Sequence, residues 1–549
     1  MNIPLLACLL CSLALADTPR PLENRQPVVF SDSFDEGAGR WRPQGEGLRV
    51  DVIEEYGNRI LRLDNSAGAA QAFLGTTAGE PGELLRFSLD AKAADGEPGQ
   101  VGLHRFAGGI HWADIGGEWQ NVSHETRAHE TGTGWYVVVP AGKVILIDNV
   151  RLERVVLTDE MKRERLAQIR RESEVVALAE YRELGCNMPR PGTSLTVDGD
   201  LPVGLYTVRP TSGREMTLDQ ILAELAGAGF NFVHNSDFED WPEHAANYAQ
   251  INIDETARKY LDSAQANGLK VLMGFDRMMV VRGDLDGLRR RARALSGHPA
   301  LWGWYLIDEP NLYGATPEAV SHAYATVREA APERPVTACL CTPHTFADYA
   351  PGLDVIITDV YPVSTHSLFA LAPHLERALK VTGGRKPVWA AIQVHNNDLH
   401  QVRWGGLDGI LTEPRRPTTD EVRCMTYLAI AHGASGIFFY AYDAWVYGQL
   451  HEDETLHRGV QSLARELRDR SPFLVADALA KGAVQTGTGR LVSYIVRGEP
   501  GGKALLVAVN AFDEPSGPVQ LPGGTEGAIT ADLAPHEVLL REVTWPAEW

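Results

Sequence analysis

Cysteine is scarce in this chain: there are six in 549 residues, and Cys8 and Cys11 fall within the first 16. The other four, Cys186, Cys339, Cys341 and Cys424, are too few and too scattered for a disulfide framework. The fold must therefore rest on hydrophobic cores. Cys339 and Cys341 alternate on one strand-like run and read as core packing. Basic residues are also outnumbered, 51 Lys and Arg against 72 Asp and Glu, for a formal charge of -21. That balance argues against nucleic acid and anionic membrane surfaces, whose recognition needs basic patches. A neutral or cationic ligand fits it better. After the first 16 residues no apolar run is long enough to span a bilayer. Missing too are a His-Glu-x-x-His metal motif, a serine nucleophile elbow and a Gly-rich phosphate loop after any early strand. No metal and no cofactor is expected.

What the chain does hold is organised in blocks. Residues 1–16, "MNIPLLACLLCSLALA", end in Ala14-Leu15-Ala16 and read as a secretory signal peptide, implying a secreted or periplasmic protein. Cys8 follows too short an apolar stretch to favour a lipid anchor. Residues 17–157 carry short alternating runs between turn residues ("LRVDVIEE", "RILRLDN", "LLRFSLDAKA", "GWYVVVP", "VILIDNVRLERV"), the pattern of an antiparallel β-sandwich. The opening "FSDSFDEGAGRWRP" and the closing "ILIDNVRLE" resemble the two ends of jelly-roll carbohydrate-binding modules, with Trp112 and Trp119 as candidate sugar platforms. A charged helical stretch from Thr158 to Leu184, closed by Gly185, opens a linker over 158–199.

From 200 to 475 buried strand runs alternate with amphipathic helices: "VGLYTV", "FNFVHN", "KVLMGF", "LWGWYLI", "PVTACL", "DVIITDV", "PVWAAIQV" and "GIFFYAY". Strand–helix alternation builds a parallel sheet, and eight repeats in this length predict an α/β fold, the (β/α)8 TIM barrel. The fifth connection, near "PHTFADYAPG", is short and weakly helical. Residues 476–549 return to short β-runs and predict a small C-terminal β-sandwich.

Barrel chemistry sits at the C-terminal strand ends. There the chain offers Asn235 and Asp237, Asp276 and Arg277, Asp308 and Glu309, Asp359 and Tyr361, Gln393 and His395, then Tyr440, Tyr442, Asp443 and Trp445. Acids and aromatics with almost no lysine describe a sugar cleft, where rings stack and carboxylates hold hydroxyls. Asp308, Glu309 and Asp359 are the candidate catalytic residues. Asn235, Asp237, Tyr361, Gln393, His395, Tyr442, Asp443 and Trp445 are candidate substrate contacts. Trp404 joins them from the long loop 396–418, which is expected to form a lid or subsite wall.

"GWYLIDEP" resembles the fourth strand of retaining glycoside hydrolases of clan A, whose general acid Glu ends that strand, usually as Asn-Glu-Pro. The resemblance spans residues 200–475 and places Glu309 at the acid position. It implies a hydrolase acting on a poly- or oligosaccharide. Two departures stand out: Asp308 replaces the Asn, and Gln393 stands where the clan's nucleophilic Glu ends strand seven. Four groups remain open as the second function: Asp359 across a water-sized gap from Glu309, Glu413, Asp443, or the substrate's own 2-acetamido group oriented by Asp308. The last resembles chitinase-like and hexosaminidase-like barrels. A barrel that binds carbohydrate without cleaving it is the alternative from another class.

Overall fold

The computed structural model describes residues 28–547 apart from 39–40, 45–46, 67–70, 77–82, 106–109, 128–133, 212–214, 240–252, 398–414 and 445–447. Residues 1–16, expected to be a signal peptide, together with Trp404, Glu413 and Trp445, lie outside the described residues, as does most of the loop 396–418.

Eight runs form a closed parallel barrel. They are β1 (Val203–Leu205), β2 (Phe232–His234), β3 (Lys270–Gly274), β4 (Leu301–Asp308), β5 (Val336–Leu340), β6 (Val355–Asp359), β7 (Val388–Gln393) and β8 (Ile437–Tyr440). Neighbours pair in sequence order, and Gly204 opposite Phe438 closes the ring between β1 and β8. Nearly every residue in these strands is buried, because side chains of one parity fill the barrel and those of the other lie under helices. The connections carry α2 (Leu218–Gly227), α3 (Ile253–Ala266), α4 (Arg277–Arg282), α5 (Leu285–Leu295), α6 (Pro317–Ala330), α7 (Phe346–Tyr349), α8 (Leu371–Thr382) and α9 (Thr419–Ala431). After β5 there is only the four-residue α7, set between two 3-10 turns. Helix starts follow from local sequence: Thr217 with Gln220, and Thr418 with Glu421, form reciprocal capping boxes that satisfy orphan N–H groups.

Aromatics plug the barrel floor. Phe232 lies 5.4 Å from Trp389, which lies 4.8 Å from Trp302, and Phe438 completes the group. Above them sit Tyr206, His234 and Tyr305, whose rings meet at 4.8 to 5.9 Å. Each large side chain so buried contributes about 1.5–3 kcal/mol. This floor is what fixes the strand ends above it.

The chain divides into two compact units between Leu157 and Thr158. In the first, two antiparallel sheets, of six and five strands, enclose one core that includes Phe34, Phe73, Phe87 and Trp135. Trp112 and Trp119 are each 38% exposed, the latter under the Lys92 ammonium at 4.8 Å. In the second unit, α1 (Asp159–Leu184) starts on the Thr158 hydroxyl, which accepts the Met161 N–H. Its last turns bury Ala177, Leu178, Tyr181 and Leu184. After α10 (Glu454–Leu474), a four-stranded antiparallel sheet packs over α9, and a two-stranded one follows within it in sequence. A buried polar cluster ties these parts together. Glu376 of α8 meets Lys481 Nζ and His432 Nδ1 at 2.7 Å each, and His432 Nε2 meets Ser493 Oγ at 2.9 Å.

Candidate active site

β4 delivers two acids through a break in its own regularity. Its register against β5 shifts between Tyr305 and Asp308, a bulge of the kind that re-aims side chains at barrel rims. Glu309 then adopts a left-handed backbone, φ +38°, while its N–H donates to Cys339 O at 3.1 Å. Such a conformation in a residue with a β-carbon costs about 1–3 kcal/mol and persists only where its surroundings enforce it. Here Asn311 Nδ2 donates to Thr342 Oγ1 at 2.9 Å and holds the turn that follows.

The strained turn brings Glu309 to Asp359, the last residue of β6. The two carboxyl groups hydrogen-bond to each other, and Cys341 hydrogen-bonds to Glu309. Burial, then the charges of Asp359 and Asp308, push the Glu309 carboxyl up to about 9. Burial, then Asp308, raises Asp359 only to about 6, because hydrogen bonds from Cys339, Tyr361 and Glu309 favour its charged form. At neutral pH Glu309 thus carries the proton and Asp359 the charge. A pair whose environments pull its members apart in this way is the usual basis for assigning acid and base roles. Asp359 is only 8% exposed.

Beneath this pair lies a second polar layer. Tyr206 Oη donates to Tyr305 Oη at 3.2 Å, and Tyr305 Oη donates to Asp308 Oδ1 at 2.5 Å. Burial raises the Asp308 carboxyl, opposed by that hydrogen bond and by the charge of Arg277. Glu239 and His234 meet at 2.7 Å; burial drives the Glu239 carboxyl well up and His234 down to about 3, both toward the neutral form. Glu239 folds over Gly274, where a β-carbon would sit 2.7 Å from its Cγ; glycine is needed at the end of β3 for that reason.

The expected water-sized gap between Glu309 and Asp359 is not there. The carboxyls are side by side because the β4 bulge and the turn at Glu309 carry its side chain over β5 toward β6. Among the expected sugar contacts, Tyr361 and His395 do reach the pair's surroundings: Tyr361 stacks on Tyr440 at 5.4 Å, and His395 meets both rings edge-on. Gln393 does not face the cleft. Fully buried, its Nε2 donates to Val363 O at 2.8 Å and its Oε1 accepts the Val363 N–H at 2.9 Å. Tyr442 is likewise a core residue, near His451 and His457. Asn235 accepts the Asp237 N–H at 3.0 Å and shapes its own turn. Asp237 and Asp443 both pair with Arg209, the latter at 2.8 Å, which makes them a clasp across β1, β2 and β8. Sequence reading missed Tyr206, Tyr305, Glu239, Arg209 and Tyr313. The two thiols read as core packing are neighbours of the acids as well. The signal for these was the "CLC" spacing at the end of β5.

Glu309, Cys341 and Asp359 each bring a donor atom within 4.8 Å of the other two, close enough to hold a metal ion.

No protein-family model matches the chain, and no curated protein matches it in sequence. Among solved structures it is similar to a β-galactosidase from the psychrophilic Marinomonas ef1, at 14% identity and a TM-score of 0.37. That match covers 49% of this chain and spans only 60% of the galactosidase. It is similar to the CBM22-1–GH10 modules of Clostridium thermocellum endo-1,4-β-D-xylanase 10B complexed with xylohexaose, at 10% identity over 80% of this chain and 98% of that one, TM-score 0.32. An α-amylase from Geobacillus thermoleovorans complexed with acarbose matches at 10% identity over 63% and 99%, TM-score 0.44.

Proposed function

We propose that the protein is a secreted glycoside hydrolase that cleaves O-glycosidic bonds of a poly- or oligosaccharide, with Glu309 as general acid. The observation that carries this reading is the contact between Glu309 and Asp359, in which burial and the neighbouring acids raise Glu309 well above Asp359. A glycosidic oxygen is a poor leaving group until it is protonated, and a carboxylic acid kept neutral by burial is the donor that this chemistry uses. A barrel that only bound sugar would gain nothing from burying such a pair, which opposes folding. In this reading the barrel and its helices form a (β/α)8 catalytic domain over 200–475. Residues 1–16 are a cleaved leader, 17–157 a carbohydrate-binding or scaffolding sandwich joined through the linker 158–199, and 476–549 a supporting sandwich. Glu309 keeps the place of the clan A acid. Double displacement through strand seven is not part of the proposal, because the amide of Gln393 is spent on Val363.

A second reading concerns the nucleophile. Glycosidases that use two carboxylates place them about 5–5.5 Å apart when retaining and about 6.5–9.5 Å apart when inverting. Side chains that hydrogen-bond to each other are closer than either, which favours the substrate's own 2-acetamido group as nucleophile. Asp359 and Asp308, whose Oδ1 already accepts from Tyr305, are the acids available to orient that group. Release of reducing ends from a panel of polysaccharides tests the hydrolase. Following the first-formed anomer by NMR tests the nucleophile: retention, restricted to 2-acetamido sugars and blocked by a thiazoline, is expected. An inverted product would return the second role to an enzymic carboxylate and water.

A further inference from the structure

Tyr313 is 43% exposed; burial raises its hydroxyl, the charge and hydrogen bond of Arg277 oppose that, and the charges of Asp308 and Glu309 add to it. The ring sits on the loop that leaves the C-terminal end of β4, the face on which a barrel carries its chemistry. The ring rides on the same turn as Glu309: Leu312 N–H donates to Glu309 O at 2.9 Å, Ala315 N–H donates to Pro310 O at 2.9 Å, and Gly314 takes the left-handed φ of +77° that closes the turn. From α4 the Arg277 guanidinium covers one face of the ring at 4.0 Å. A cation over one face holds the ring still and leaves the opposite face to a ligand. Tyr361 and Tyr440, by contrast, spend a face on each other.

We propose that Tyr313, backed by Arg277, is the specificity-determining surface on which the leaving-group sugar lies. The inference rests on Glu309 being the general acid. An acid that protonates the departing oxygen must lie beside the departing ring, and the residue fixed to the same turn faces that ring. Arg277 is a positioning residue for it.

Two substrates of the same sugar separate this role from others: an oligosaccharide, and the glycosyl fluoride, whose leaving group has no ring. Tyr313→Ala is expected to lower kcat/KM on the oligosaccharide about tenfold, the scale of one aromatic stacking contact, and to leave the fluoride unchanged. Tyr313→Phe, which keeps the ring but loses the hydroxyl that bonds Arg277, should lose less on the oligosaccharide than Tyr313→Ala. Calorimetry of xylo-, cello-, manno- and chito-oligosaccharides with Glu309→Gln supplies a readout without turnover, in which adding Tyr313→Ala should weaken binding by the same factor. Equal losses on the fluoride and the oligosaccharide, or unchanged oligosaccharide affinity, would overturn the subsite and leave the hydrolase standing. Oligosaccharide binding that depends on Tyr313 in a wild type that cleaves none would support the surface and overturn the hydrolase. A wild type that neither binds nor cleaves any of them would overturn both.

Discussion

Glu309 and Asp359 make a single titrating unit, so their pH dependence belongs to the pair. Asp359 must be charged and Glu309 protonated, hence kcat/KM should rise as pH climbs through about 6 and fall as it passes about 9. Removing the neighbouring charge makes Glu309 easier to ionise, so in Asp359→Asn the alkaline limb should move to lower pH. A rate profile over pH 4 to 11 reads both, with the limbs spaced as the two values require; an unmoved alkaline limb in the variant would mean that Glu309 is not the group being followed. The acids themselves were legible in "YLIDEP" and "TDVY", since carboxylates that close apolar runs mark the C-terminal strand ends where barrel chemistry sits. Their contact was not legible. It depends on the β4 bulge and on the left-handed Glu309, and neither has a glycine or turn signature to announce it. Tyr206 and Tyr305 were hidden for the opposite reason, as aromatic residues that look like any other core ring.

Strand ends are where period-two reading fails, because the chain leaves the sheet there and parity no longer fixes a face. Gln393 shows the consequence. Placed in the cleft by its position at the end of β7, it instead fastens the Val363 backbone after β6. Installing by Gln393→Glu the residue that clan A enzymes carry at the end of strand seven should therefore create no nucleophile. It removes the donor to Val363 O and buries a charge, which should destabilise the fold by roughly 1–3 kcal/mol or more, as read from denaturant unfolding. A gain in activity would show that this side chain can reach substrate. The other element-scale device is the Glu376–Lys481–His432 cluster under the C-terminal sheet. Breaking such a buried pair leaves an uncompensated charge, so Glu376→Gln should cost about 3–5 kcal/mol. Burial disfavours the charge of Glu376, but hydrogen bonds from His432 and the charge of Lys481 hold its pKa below the ordinary value. Its contribution is complete above the ordinary glutamate range and is lost as pH falls through the depressed value. Acid-induced loosening of the sheet, followed by hydrogen exchange in β-strands 491–498 and 503–510, checks this; exchange insensitive to acid would contradict it. The eight barrel runs were readable because buried parallel strands are nearly continuous apolar sequence. In the first unit, Gly99–Arg105, Ile110–Ile115 and Gln120–Arg127 escaped notice because half-exposed strands carry Gly, His, Gln and Glu that look like loop.

At the scale of the whole molecule, the first unit has a core of its own. Residues 17–157 expressed alone should fold cooperatively and, in the carbohydrate-binding reading, be retained on an insoluble polysaccharide; folding without retention on any glycan would assign it a scaffolding role. The central claim concerns the second unit, where an aromatic floor, a strained turn and two touching carboxyls make a proton donor. A general acid matters in proportion to how badly the leaving group needs a proton. The direct measurement is kcat/KM of wild type and Glu309→Gln on an oligosaccharide and on the dinitrophenyl glycoside of the same sugar. The account predicts a loss of at least about a hundredfold on the oligosaccharide and less than about tenfold on the dinitrophenyl glycoside. Equal losses on both substrates, or no loss on either, would contradict it.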